Sequence, residues 1–227
     1  MFNLVPDKSE ISRYLGIKGE TDAVTMQVIG DCVFELQQII KQRYIYGIFD
    51  IKVTDCIELA GTELTLTGGD IYNHLKDCEK CAVMAATLGI EADNAIRIAQ
   101  SRDMLRAVVM DASASEYIEK LCDCVEDEIK EIAEKEGYNT KFRFSPGYGD
   151  LPIDTQKSLL DTIDAGRKIG ITLTSGNLMT PSKSVTAVIG FTKNEVGKQR
   201  TSCDICSMKD NCKFRKEGKS CGRNSDN

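Results

Sequence analysis

Apolar positions recur along this chain with two different periods, and the changes of period sort it into elements. Residues 9–16 read as a short helix closed by Gly16. Thr21 or Asp22 can cap the next helix, which the stripe Val24, Val28, Cys32, Leu36 and Ile39 or Ile40 carries to about residue 43. Residues 44–57 alternate and are rich in β-branched and aromatic side chains, so they predict a strand, with residues 61–67 as a hairpin partner or second strand. Gly68-Gly69-Asp70 opens a short helix carrying His74, and the small, apolar residues 81–88 read as a buried strand. Residues 92–137 predict helix, broken near Ser101-Arg102-Asp103. Residues 140–145 form a strand entering the turn Pro146-Gly147-Tyr148-Gly149, residues 153–169 a helix capped by Asp154 or Thr155, and residues 171–173 and 183–191 strands.

Long helices and strands that do not alternate regularly with them predict an α+β fold on a mainly antiparallel, twisted sheet rather than a doubly wound parallel one. No glycine-rich dinucleotide fingerprint is present. Past Lys193 the hydrophobic pattern gives way to cysteines, lysines and glycines. The expected division is therefore a body, residues 1–192, and a Cys-rich tail, residues 193–227. The tail carries nine Lys and Arg against five Asp and Glu, a net +4. With −6 for the whole chain, the body holds −10, which argues against nucleic acid as its partner. At 41 % hydrophobic and 28 % charged, the 227 residues are ordinary for a globular chain and unlike collagen, coiled coil or disorder. No apolar run approaches the ~18 residues of a membrane span, and residues 1–7 lack the regions of a signal peptide. A soluble, cytoplasmic protein is expected, in which cysteines serve as buried thiols or metal ligands.

Four constellations can carry chemistry. Arg143-Phe144-Ser145-Pro146-Gly147-Tyr148-Gly149-Asp150 pins a turn that exposes backbone groups, beside an arginine able to fork onto a carboxylate. It is equally a well-made strand-to-helix connection. The small and hydroxylated residues 173–185 form a loop that a ligand can approach closely, or simply a loop between strands. Val108, Asp111, Ser115, Ile118, Cys122, Val125, Ile129 and Ile132 share one otherwise apolar helix face, where a carboxylate needs a partner. Cys203-x2-Cys206-x5-Cys212-x8-Cys221 places four thiolates within nineteen residues of a basic, coreless tail, the spacing of zinc or of an iron–sulfur cluster. Lys209, Lys213, Arg215, Lys216 and Lys219 would offset their charge. Cys32, Cys56, Cys78, Cys81, Cys122 and Cys124 read as buried thiols. His74, the single histidine, has no nucleophile motif beside it.

Arg143-x3-Gly147-Tyr148, then Pro152, Leu173-Thr174-Ser175 and Met179-x-Pro181-x2-Ser184-Val185, resemble the activation domain of cobalamin-dependent methionine synthase. Arg13-Tyr14-Leu15-Gly16, Leu75 with Cys78, and Thr87-Leu88-Gly89 look like its stand-alone members, so the resemblance spans roughly residues 9–191. It implies an S-adenosylmethionine-binding α+β domain that docks on a cobalamin-carrying partner, with one electron from a flavodoxin-like donor restoring methylcobalamin. By position, Arg143 would hold the ligand's carboxylate. Gly147 and the backbone of Gly149 and Asp150 would bind the ligand, and Tyr148 would stand between ligand and corrin as the candidate catalytic residue. Where full-length enzymes carry a glutamate four residues after the aspartate matching Asp111, this chain has Ser115 with Glu116 beside it, which leaves the ligand's ammonium to Asp111 or Glu116. The chain holds no methionine synthase catalytic module, so it would serve a separate cobalamin-binding methionine synthase or another corrinoid protein. An iron–sulfur reductive activator and a non-enzymatic binding module are the alternatives.

Overall fold

The structure is a computed structural model and describes residues 1–17 and 19–196. Helices α1 (Lys8–Tyr14) and α2 (Ala23–Ile39) precede strand β1 (Arg43–Val53). Strands β2 (Ile57–Leu59) and β3 (Thr65–Leu66) lead to helix α3 (Gly69–Leu75) and strand β4 (Lys80–Thr87). Helices α4 (Ile90–Gln100) and α5 (Met104–Lys135) follow, then β5 (Asn139–Thr140), α6 (Thr155–Thr162), α7 (Ala165–Ile169), β6 (Thr172–Leu173), β7 (Met179–Thr180) and β8 (Ser184–Thr192). Six strands form one antiparallel sheet in the order β3-β2-β1-β4-β8-β5. The α+β class and antiparallel sheet are those expected.

Strand β4 is central. It pairs with β1 from Arg43↔Thr87 to Asp50↔Lys80 and with β8 from Lys80↔Phe191 to Thr87↔Ser184. Side chains alternate across a strand, so the two faces separate cleanly. Ala82, Met84, Ala86, Ala187 and Ile189 face one core with α1, α2, α4 and α5, whereas Cys81, Val83, Ala85 and Val188 face a second core with α3, α6 and α7. A strand covered on both faces needs no polar side, which is why residues 81–88 read as an unbroken apolar run.

Several boundaries differ from the pattern reading. Residues 44–57 are not one strand, because Thr54 N donates to Cys56 O and turns the chain into β2. Helix α2 stops at Ile39, and its buried stripe is Ile29, Cys32 and Leu36, while Val24 is exposed. Residues 140–145 join β8 through β5, the bond from Lys141 N to Gly190 O at 2.8 Å and the bridge Phe144↔Val188, without forming a continuous strand. The helix expected over residues 153–169 breaks at Asp164, whose φ of 57° is left-handed. Asp154 precedes α6 but makes no capping bond, because its carboxylate instead accepts from Asn177 Nδ2 at 2.6 Å. Strand β6 pairs with β7 in a separate hairpin rather than joining the main sheet. Cys32, Cys78, Cys81 and Cys122 are buried, whereas Cys56 and Cys124 are half-buried. Lys193 and Asn194 continue past β8 in contact with the body: Lys193 Nζ lies 3.0 Å from Glu79, and Asn194 O accepts from Asn139 Nδ2 at 3.1 Å.

Candidate functional site

The 145–152 turn is built by short-range hydrogen bonds. Tyr148 N donates to Ser145 O at 3.0 Å and Gly147 N to Leu151 O at 2.9 Å. Gly147 and Gly149 carry φ of 84° and 55°, a region that side chains rarely adopt. At Gly149 a Cβ would also lie 2.6 Å from an Asp70 carboxylate oxygen, so the turn presses directly on the start of α3. Asp150 fastens the same junction by accepting from Gly69 N at 2.5 Å and Asp70 N at 3.0 Å. The Tyr148 ring packs edge-on against Phe144, centroid to centroid 5.2 Å.

Beside this turn opens a cleft of about 640 Å³. Its walls are Ser145 and Pro146 of the turn, Ile153 and Gln156 at the start of α6, the β6–β7 hairpin, the first residues of β8, and Glu119 of α5. Gln156 is buried and donates to Thr186 Oγ1 at 2.6 Å, which fixes the cleft floor to β8. Thr174 Oγ1 accepts from Leu178 N at 3.2 Å and, with Asn177 at φ 60°, shapes the hairpin tip. Ser182 is tied across to α4, N and Oγ both donating to Asp93.

Arg143 lies next to Glu119, where one face of α5 supplies three carboxylates. Nη2 reaches Asp123 at 2.9 Å and Glu119 at 3.3 Å, and Nε reaches Glu126 at 3.0 Å. Burial opposes the Arg143 charge, but the surrounding anions outweigh it and hold its pKa above the ordinary arginine value. Burial likewise pushes the Glu126 carboxyl up, against the pull of Arg143. Arg143 Nη1 is buried and has no hydrogen-bond partner among the described residues. Leaving such a donor unpaired costs on the order of 1–3 kcal/mol.

The other sequence candidates fall into separate places. Asp111 and Ser115 do share a flank of α5, but Asp111 is exposed rather than buried, because α1, α2 and α4 cover the opposite flank. Lys183 occupies the space between them, 2.8 Å from the Asp111 carboxylate and 2.9 Å from Ser115 Oγ. Glu116 is fully buried on a different flank and accepts from Asp7 N at 3.2 Å. Glu119 was not singled out by the sequence. The signal for it is the polar row Asp111, Ser115, Glu119, Asp123 at four-residue steps, which also describes any solvated helix face.

His74 packs on Phe142 and Phe144, with Nε2 3.0 Å from Phe142 O, and burial lowers its pKa to about 4. Among the described residues no group of His, Cys, Asp or Glu is placed to hold a metal ion, and no helix is long and apolar enough to cross a membrane. Cys203, Cys206, Cys212 and Cys221 lie outside the described residues.

The described residues form an α+β domain with a cleft between a pinned glycine turn, a hairpin and an acidic helix face. Residues 71–197 match the family described as vitamin B12 dependent methionine synthase, activation domain, and the chain belongs to that family. A crystal structure of the MetH reactivation domain bound to AdoHcy has the same fold, with a TM-score of 0.65 and 17 % identity over 95 % of this chain and 82 % of that one. No curated protein sequence matches the chain.

Proposed function

We propose that this chain is an activation subunit that binds S-adenosylmethionine and supports reductive methylation of cob(II)alamin on a separate cobalamin-dependent methionine synthase. The observation that carries this reading is the cleft itself. It lies between the motif turn 145–152 and the hairpin–β8 segment 172–186, the two blocks on which the family resemblance rests. One electron, from a flavodoxin-like donor, reduces cob(II)alamin to cob(I)alamin. The methyl group then passes from the sulfonium to cobalt, the carbon–sulfur bond breaks, and S-adenosylhomocysteine leaves.

The sulfonium is already an activated donor, so the protein's contribution is to position two large molecules and keep water out. This fits a site without an acid–base pair: the single histidine is buried and neutral at pH 7. Arg143 is proposed to hold the ligand carboxylate, Tyr148 to separate ligand from corrin, and the backbone at Gly147, Gly149 and Asp150 to meet the adenosyl part.

The test is methyl transfer to a cobalamin-loaded methionine synthase that lacks its own activation module, given reductant and methyl-labelled S-adenosylmethionine. Label should appear on cobalamin only when this chain is present. Equal labelling without it contradicts the proposal. The tail cysteines Cys203, Cys206, Cys212 and Cys221 are proposed to bind zinc or an iron–sulfur cluster within a unit distinct from the body (residues 1–192). Visible absorption that bleaches with dithionite identifies a cluster able to supply the electron. A colourless protein with stoichiometric zinc identifies a structural site.

A further inference from the structure

We propose that Glu119 receives the α-ammonium of the amino-acid end of the ligand bound in the cleft. This rests on the adenosyl-ligand reading above and names the residue that reads the ligand's cation. Among the cleft's lining residues Glu119 is the one ionisable side chain, and the rest of the wall is hydroxyl, amide and apolar groups. The two positions that sequence offered are engaged elsewhere. The Lys183 ammonium already sits between Asp111 and Ser115, at 2.8 and 2.9 Å. Glu116 is fully buried, facing Asp7.

Glu119 is also the least tightly held carboxylate of its cluster. Its side chain is 34 % exposed, and at 3.3 Å it is the loosest of the three carboxylates on Arg143, against 2.9 and 3.0 Å for Asp123 and Glu126. When it swings toward a ligand, Arg143 keeps both other partners. Glu119, Asp123 and Glu126 make this face of α5 acidic, which favours an arriving cation. The ligand's sulfonium has no N–H to donate, whereas the ammonium donates directly to a carboxylate in a charge-assisted hydrogen bond. Arg143, immediately beside it, has the complementary charge for the carboxylate of the same amino acid.

The test is calorimetric titration of the full chain with S-adenosylhomocysteine and with its analogue lacking the α-amino group. Wild type should prefer the amine-bearing compound by about tenfold, the size of a charge-assisted bond. Glu119→Gln, nearly isosteric and with an unchanged melting temperature, should bind both compounds equally. A preference that survives in Glu119→Gln overturns the assignment, as does one lost in Asp111→Asn but kept in Glu119→Gln. Wild type binding both compounds equally overturns the Glu119 assignment alone. Wild type binding neither overturns the adenosyl reading together with it.

Discussion

Arg143 ties the residues before the glycine turn to three carboxylates of α5. Its guanidinium neutralises part of a three-carboxylate cluster, so removing it leaves Glu126 mostly buried without its cation. Arg143→Met should lower the unfolding free energy by about 3 kcal/mol at pH 8, the low end for breaking a buried pair, since Glu119 and Asp123 are a third exposed. Without the guanidinium, the Glu126 pKa, already raised by burial, rises further in the folded state. Folded protein then binds a proton that unfolded protein does not, so the variant regains stability as pH falls from 8 to 5. Urea denaturation at both pH values checks this, and an identical deficit at the two contradicts it. A loss of ligand binding in such a variant does not separate contact from folding, whereas Glu119→Gln does.

His74 gives the opposite sign. Its folded pKa, near 4, lies below the unfolded value of about 6.5, so stability is complete above pH 6.5 and falls as the unfolded chain takes up a proton first. Between those values wild type should lose up to about 3 kcal/mol relative to His74→Leu, measured by urea denaturation across that range. Parallel curves for the two proteins would contradict a buried, neutral imidazole. Thiols sort by burial in the same way: it raises the pKa of Cys32 to about 11 and of Cys78 and Cys122 to about 12. Iodoacetamide at pH 8 should therefore modify Cys56 and Cys124 before Cys32, Cys78, Cys81 and Cys122, as read by peptide mass mapping. Early labelling of Cys81 would mean that the sheet opens more readily than its burial implies.

At the level of elements, α5 is both the backbone of one core and a wall of the cleft. Its periodicity announces the helix, and its start after Asp103 follows from a side chain that accepts from Arg106 N at 3.1 Å. Which position of its polar row meets the cleft was not readable, because Asp111, Ser115 and Glu119 look alike until the fold places the turn and the hairpin beside Glu119. The turn's dependence on α3 was equally hidden: nothing local in Gly149-Asp150 points to residues 69 and 70, about eighty positions earlier. That junction predicts a measurable cost. Asp150→Ala, which frees two amide donors at the start of a seven-residue helix, should lower stability by about 1 kcal/mol in urea denaturation. An unchanged midpoint would show that water replaces the carboxylate there.

Across the whole molecule, the pattern of residues was enough for the class and most elements, since β4 and β8 are apolar on both faces and α5 is long and periodic. It failed where tertiary contacts override local preference. Residues 140–145 look like a strand but pair with β8 only intermittently, and residues 153–169 look like one helix but turn at Asp164. The motif blocks at 143–152 and 173–185 were visible as sequence. Their convergence on one cleft required the sheet, which brings the start of β8 beside the turn, and α6, whose Gln156 is fastened to β8. Family membership agrees with that arrangement, and the central functional claim is that the cleft holds S-adenosylmethionine. Calorimetric titration of the full chain with S-adenosylmethionine tests it most directly. The account predicts saturable binding at one site per chain, and a folded chain that gives no binding would contradict it.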